Sequence, residues 1–202
     1  MIIDMHVHTV ASGDSLIAAE DLIDHALDMG LDGICVTEHD SYEASAAVEE
    51  LAEGTDLKVF RGVEVSTVTG HMLVYGVKDD KWKDYLEQHK NDAQRLIDYV
   101  RSIDGVVIPA HPFDPIKPGI KDLAPTLAGV FAIEAFNGQS DVNDNIRARE
   151  MAERLNLSIV GGSDAHSLYE LGKCVTEFSA NITSMGELIA ELKAGRFRGR
   201  YL

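Results

Sequence analysis

Six of the eight histidines in this 202-residue chain, His6, His8, His39, His71, His111 and His166, stand at or beside the ends of short apolar runs, next to acidic residues, glycine or proline. Imidazole nitrogens and carboxylate oxygens are the ligand set of transition-metal sites. In Asp4-Met5-His6-Val7-His8 the period-two geometry of a strand turns Asp4, His6 and His8 to one side and Met5 and Val7 to the other. Two imidazoles so spaced can chelate one ion, and Asp4 is placed to orient one of them. Alone, such a pair is equally compatible with neutral histidines packed in a core; its company makes it informative. Thr37-Glu38-His39-Asp40 closes the apolar run GICV, so His39 sits where a strand opens into a loop. Glu64 is a lone carboxylate in the run GVEV, and a buried unpaired carboxylate costs enough to demand a cation or strong hydrogen bonds. Ala110-His111-Pro112 ends another run, with the proline expected to hold His111 extended. In Gly161-Gly162-Ser163-Asp164-Ala165-His166 an acid and an imidazole stand two apart, behind glycines that permit close backbone approach. The remaining two differ: His25 falls on the polar side of a helix with Asp21 and Asp28, and His89 on the apolar face of another, far from any strand end.

The elements that must bring these residues together are legible in the hydropathy pattern. Short apolar runs alternate with longer segments of helical period, the mark of an α/β fold. Strands are expected near 1–8, 32–38, 57–66, 71–77, 105–111, 129–136, 157–163 and 173–180. Ala19, Leu22, Ile23, Ala26 and Leu27 define one helix face before Gly30. Trp82 through Ile103 define a second, long one before Gly105, and Ser184 with Glu187 forms a capping-box pattern opening the last helix. All five prolines fall between Pro109 and Pro125, which marks 112–122 as a rim loop; the closing GRFRGRYL reads as a solvated tail or a final edge strand. No linker or repeat divides the chain, so one domain over 1–202 is expected. In α/β sheets the carboxyl ends of parallel strands converge on one face, where ligands distant in sequence meet.

Composition narrows the function. Eighteen Lys and Arg against 34 Asp and Glu give a net charge of −16, which repels a phosphate backbone and argues against general nucleic-acid binding, although bound cations can reverse the field locally. No apolar stretch is long enough for a membrane helix and no signal-peptide pattern opens the chain, so a cytoplasmic location is expected. Cys35 and Cys174 each sit in an apolar strand-like run and read as core residues, not as a disulfide.

The segments DMHVHTVASGDS, TEHD, GVEV, AHP and GGSDAH, in that order, resemble the successive motifs of the PHP family, the polymerase and histidinol phosphatase domain of metal-dependent phosphoesterases. The resemblance runs from Asp4 to at least His166. It implies a distorted (β/α)7-type barrel holding two to three divalent ions at the carboxyl ends of its strands. Carried onto this sequence, it has His6 and His8 hold one ion with Glu64 and Asp164; Glu64 bridge to a second ion completed by His111 and His71; and His39, His166 and Asp14 hold a third. Imidazole and carboxylate ligands suit zinc, manganese or iron better than magnesium.

Ions sharing Glu64 would hold a bridging water, lower its pKa to give hydroxide, and bind phosphoryl oxygens, with Glu64, Asp164 and His166 at the reacting centre. A positive pocket on an acidic body favours a small anionic phosphate ester, a monoester of the nucleotide, sugar phosphate or histidinol phosphate type. Lys117 and Lys121 in the proline-rich loop, Arg147 and Arg149, and Lys173 are candidate phosphate grips. Glu134 and Asn137, near a strand end, are candidates for substrate contact or for support of the ligands. A phosphodiesterase or exonuclease and a metal-binding regulatory module are the competing readings. No surface element marks an oligomer interface.

Overall fold

The computed structural model describes residues 1–202, along which nine strands and six α-helices alternate. The strands are β1 (Ile2–Val7), β2 (Gly33–Val36), β3 (Lys58–Thr67), β4 (Gly70–Tyr75), β5 (Val106–Pro109), β6 (Ala132–Asn137), β7 (Ser158–Gly162), β8 (Cys174–Phe178) and β9 (Phe197–Tyr201). The helices are α1 (Ala19–Asp28), α2 (Ala46–Leu51), α3 (Trp82–Gln88), α4 (Ala93–Ser102), α5 (Val142–Leu155) and α6 (Met185–Ala194). The eight strands expected from sequence are present, and GRFRGRYL supplies the ninth, an edge strand antiparallel to β8. There Glu177 accepts from both Arg198 and Arg200, so the basic ending is paired locally.

Seven strands form one sheet in the order β5-β4-β3-β2-β1-β8-β9, and β6 with β7 forms a separate parallel pair. The sheet curls into an incomplete barrel. Tyr75 on β4 donates its hydroxyl proton to the Met5 carbonyl on β1 at 2.6 Å, although β3 and β2 lie between those strands in the sheet. The gap is bordered by β7, whose exit forms a parallel bridge from Ala165 to Val7 and whose Gly161 N–H donates to the Thr176 hydroxyl of β8. The regularity of a (β/α)7 barrel is therefore lost: β4 is antiparallel to both its neighbours, as is β8. A tight hairpin at Val68–Thr69 replaces the crossover helix that a parallel β4 would need.

Three apolar clusters hold the layers. Inward residues of the strands, among them Met5, Phe60, Tyr75, Ile108 and Val160, fill the barrel, with Leu188, Ile189 and Leu192 of α6 packed onto the same cluster. Leu22, Ile23 and Ala26 of α1 bury their face against Ile34, Val36 and Val175, as the helical spacing requires. The third cluster packs α3, α4 and α5 on β3, β4 and β6. The long helix expected over 82–103 is broken. Lys90 and Asn91 have φ of 57° and 54°, a left-handed turn no α-helix accommodates, and the Asp92 side chain caps α4 by accepting from Arg95 N–H at 3.0 Å. The capping pattern of α6 is also modified: Ser184 accepts from Glu187 N–H, while the Glu187 carboxylate reaches back to Thr183. Cys35 and Cys174 are free and buried.

Because Tyr75 is fully buried, Tyr75→Phe strands the Met5 carbonyl without a partner. Urea unfolding of this variant should show a loss of about 1–3 kcal/mol with an unchanged m-value; unaltered stability would mean the curl does not depend on this bond.

Candidate metal centre

Glu64 lies inside β3, 1% exposed, and its carboxylate is the hub of the candidate site. Oε1 lies 2.9 Å from His71 Nδ1 and 2.8 Å from His111 Nε2; Oε2 lies 3.3, 3.2 and 3.1 Å from His6 Nε2, His8 Nε2 and His39 Nδ1. The exits of β1, β2, β5 and β7 deliver His8, His39, His111 and Asp164 with His166 to one rim. His71 reaches the same rim because β4 runs antiparallel, so that its amino end lies where the others finish. The pairing of β1 with β2 is irregular between Asp4 and Val7, and beside it His6 and His8 meet Nε2 to Nε2 at 3.0 Å. Gly162 allows β7 to lie against them, since a Cβ there would stand 2.4 Å from that of His6.

All nine residues named as ligands come together. Asp164 Oδ1 lies 3.6 Å from both His6 and His8 Nε2. Asp14, half-exposed, places Oδ2 3.2 Å from His39 Nε2 and 3.4 Å from His166 Nε2. His39 does double duty, with Nδ1 toward Glu64 and Nε2 toward Asp14. Three groupings have ligand atoms within 4.8 Å of one another: His6, His8 and Asp164; His8, His39 and His166; and His39, Glu64 and His71.

The donor chemistry fits divalent cations. His6 Nδ1 is 3.0 Å from Glu134 Oε1 and His8 Nδ1 3.0 Å from the Ser12 hydroxyl, partners that accept a proton from Nδ1 of each ring and leave the two Nε2 atoms as the ones available to an ion. Two such nitrogens and two carboxylate oxygens enclose one point. A proton satisfies one of them, whereas a divalent ion satisfies all. Without an ion, the neighbouring carboxylates draw a second proton onto His6. Burial opposes charging of His6, but Asp164, Glu134 and Glu64 outweigh it and raise its pKa well above the ordinary imidazole value. Burial pushes the neighbouring His8 down to about 4, with repulsion from a charged His6 adding to the effect. Glu64 stays well below the usual carboxylate range despite burial, because imidazoles surround it, and Asp164 is likewise lowered. Two of the candidate ligands occupy left-handed backbone, His111 at φ 25° and Asp164 at φ 56°. His111 is thus not extended as its proline led one to expect: its N–H donates to Glu134 Oε2 at 2.8 Å and its carbonyl accepts from Asp114 N–H, which closes a tight turn.

The surrounding residues depart more from expectation. Asp4 does not touch an imidazole; its carboxylate accepts the backbone N–H groups of His6, Ser163 and Gly172, pinning β1 to the loop that carries Asp164. Glu134 and Asn137 are enclosed by protein. Glu134 engages His6, His111 N–H and Asn137 Nδ2, and Asn137 Nδ2 also donates to Asp164 Oδ2 at 3.1 Å. Lys117 reaches the cluster, its amine donating to Asp164 Oδ2. The proline-rich loop is firmly built: Asp114 Oδ1 accepts from Ile116 and Lys117 N–H, and His71 N–H donates to the Pro118 carbonyl. Arg147 lies elsewhere, paired to Asp144 and 4.3 Å from the Phe113 ring centre; Arg149 stacks on Phe136 and Lys173 on Tyr169. The largest cavity, about 630 Å³, is lined by Lys58, Arg61, Val77 and Ser184 and contains no member of the cluster. Ser12 and Glu38 were missed. Glu38 adjoins an apolar run as Glu64 does, and the argument applied to a lone buried carboxylate would have found it.

The PHP domain pattern matches residues 4–155, and the PHP-associated pattern matches 142–197. The chain belongs to the PHP family. Among known proteins, this PHP chain is 41% identical over 70 residues to the 5'-3' exoribonuclease Rnm of Salmonella typhimurium, a match covering 34% of this chain but only 24% of that protein. It is 24% identical over 200 residues to a probable phosphatase of Caldicellulosiruptor bescii, covering 85% and 82% of the two chains. Among solved structures it superposes with a TM-score of 0.73 on PsfC of Pseudomonas syringae, at 21% identity over 100% of this chain and 91% of that one. A protein of Bifidobacterium adolescentis, provisionally named a metal-dependent phosphoesterase, gives 0.69 at 20% identity with 95% of both chains covered. These likenesses identify the PHP fold. No helix of the PHP chain is long and apolar enough to cross a membrane.

Glu134→Gln removes the charge that holds both His6 and the His111 backbone while keeping the shape. Competition with a chromophoric chelator should show zinc affinity falling about 10–100-fold, and an unchanged affinity would dismiss Glu134 as a support for the ligands.

Proposed function

We propose that this chain hydrolyses a small-molecule phosphomonoester with two to three divalent ions, of zinc, manganese or iron type, held by His6, His8, Asp14, His39, Glu64, His71, His111, Asp164 and His166. The observation that carries this reading is the cluster of imidazoles and carboxylates around Glu64, with one lysine amine at its edge. Divalent ions held there supply Lewis acidity toward phosphoryl oxygens and lower the pKa of water.

The chain's own residues do the rest. Glu64 and Asp164 keep their negative charge at neutral pH, and with the imidazoles they fix the positions of the charges that a phosphoryl group meets. The Lys117 amine, 28% exposed, is held beside Asp164 by a built loop, where it can take a non-bridging phosphate oxygen. Glu134 and Asn137 act through the ligands they orient, while Arg147 pairs with Asp144 and lies over the Phe113 ring. The net charge of −16 favours a small anion that enters this local positive field over a long polyanion. A second reading, a phosphodiesterase or exonuclease, is favoured by the 41% identity to an exoribonuclease over 70 residues.

Phosphate release from a panel of monoesters and diesters, with manganese or zinc supplied, separates these readings. Monoester turnover that EDTA removes and that Asp164→Asn abolishes is expected; turnover confined to diesters would select the second reading, and silence in metal-loaded protein would leave a binding module. On a monoester that is turned over, Lys117→Ala should raise KM about tenfold or more, since a charged hydrogen bond contributes about 1.5–3 kcal/mol, and a KM equal to that of the parent would take Lys117 out of the binding site.

A further inference from the structure

We infer that Ser12 and Glu38 are positioning residues for the metal centre: the Ser12 hydroxyl, anchored by the buried Glu38 carboxylate, fixes the His8 proton on Nδ1 and turns its Nε2 into the cluster. The inference rests on the reading of the cluster as a metal site and on no assumption about substrate.

A serine hydroxyl has one hydrogen to give and two lone pairs. Here the hydrogen goes to Glu38 Oε2, one lone pair accepts the His39 backbone N–H at 3.2 Å, and the other faces His8 Nδ1 at 3.0 Å. With its hydrogen committed, the hydroxyl offers His8 only an acceptor, so His8 Nδ1 must be the donor. Glu38 cannot turn away. It has no exposed surface, and the Thr9 N–H and hydroxyl also donate to it, the latter at 2.5 Å. The Thr9 hydroxyl in turn accepts from Ala11 N–H at 3.2 Å and so caps the short 3-10 helix Val10–Ser12 that presents Ser12. One hydroxyl thereby sets the ring of one ligand, His8, and the backbone of a second, His39. Glu134 performs the same service for His6 from the opposite side, so the two rings that meet at 3.0 Å are each clamped from behind. Without the Ser12 oxygen, His8 is free to carry its proton on Nε2, where it would block coordination.

The test reads zinc affinity by chelator competition and the His8 tautomer by long-range 1H–15N correlation, in metal-free and zinc-loaded protein. The parent should show His8 protonated on Nδ1. Ser12→Ala should lose about 10–100-fold in zinc affinity and show mixed tautomers when metal-free; Ser12→Thr, which keeps the hydroxyl, should restore both, and Glu38→Gln should fall between. Parent-like affinity and tautomer in Ser12→Ala would overturn the inference, as would a loss that Ser12→Thr fails to relieve or a parent protein that takes up no zinc. Phosphate release is not read, so failure of the phosphatase proposal would leave this inference standing.

Discussion

A fully enclosed carboxylate ringed by five imidazoles cannot be an accident of packing. Glu64 sits in the middle of a strand whose neighbouring residues Val63 and Val65 are wholly buried, and it would be ruinous to the fold if it were unpartnered. The chain resolves this by surrounding it with groups that can be positive or can share a positive ion. The features of the rim that meet it are the irregular pairing of β1 and β2 beside His6 and His8, the antiparallel β4 that brings His71 to the same end, and the left-handed turn at His111.

Such a centre needs walls as much as ligands. The apolar filling of the curled sheet, with α6 packed onto it, leaves the rim as the place where polar side chains accumulate. Around the cluster lies a ring of groups that back its members: Asp4 on three backbone N–H groups, Glu134 on His6 and the His111 backbone, Ser12 and Glu38 on His8. Each fixes a ring or a turn, and fixed orientation is what separates a metal site from a cluster of histidines. The imidazoles and carboxylates of the rim are gathered on a body whose net charge is −16.

The family pattern agrees with this architecture over residues 4–155, yet the fold's general likeness to its neighbours, at 20–21% identity, does not name a substrate. Above the cup, the proline-rich segment that brings Lys117 to Asp164 is stitched to β4 through Pro118 and His71.

The sequence by itself determined the α/β class, the eight principal strands and eight of the nine residues that assemble at the rim, because alternation within strands and polar residues at strand ends are local patterns that burial enforces one element at a time; Asp14 followed only from the resemblance to the PHP motifs. It also marked Glu64, since a charge inside an apolar run is conspicuous in one dimension. What the tertiary structure alone decided were the pairings between distant segments. Asp4 went to the Ser163 and Gly172 backbone instead of an imidazole, Glu134 went behind His6, and Arg147 met Asp144 and the Phe113 face. The break at Lys90 and Asn91 and the positive φ of His111 were equally hidden, for they answer to hydrogen bonds from remote parts of the chain: Val68 N–H on the Asn91 carbonyl, and Glu134 on His111. A carboxylate's partner is whichever donor the fold brings within 3 Å, and nothing local in the sequence encodes that distance.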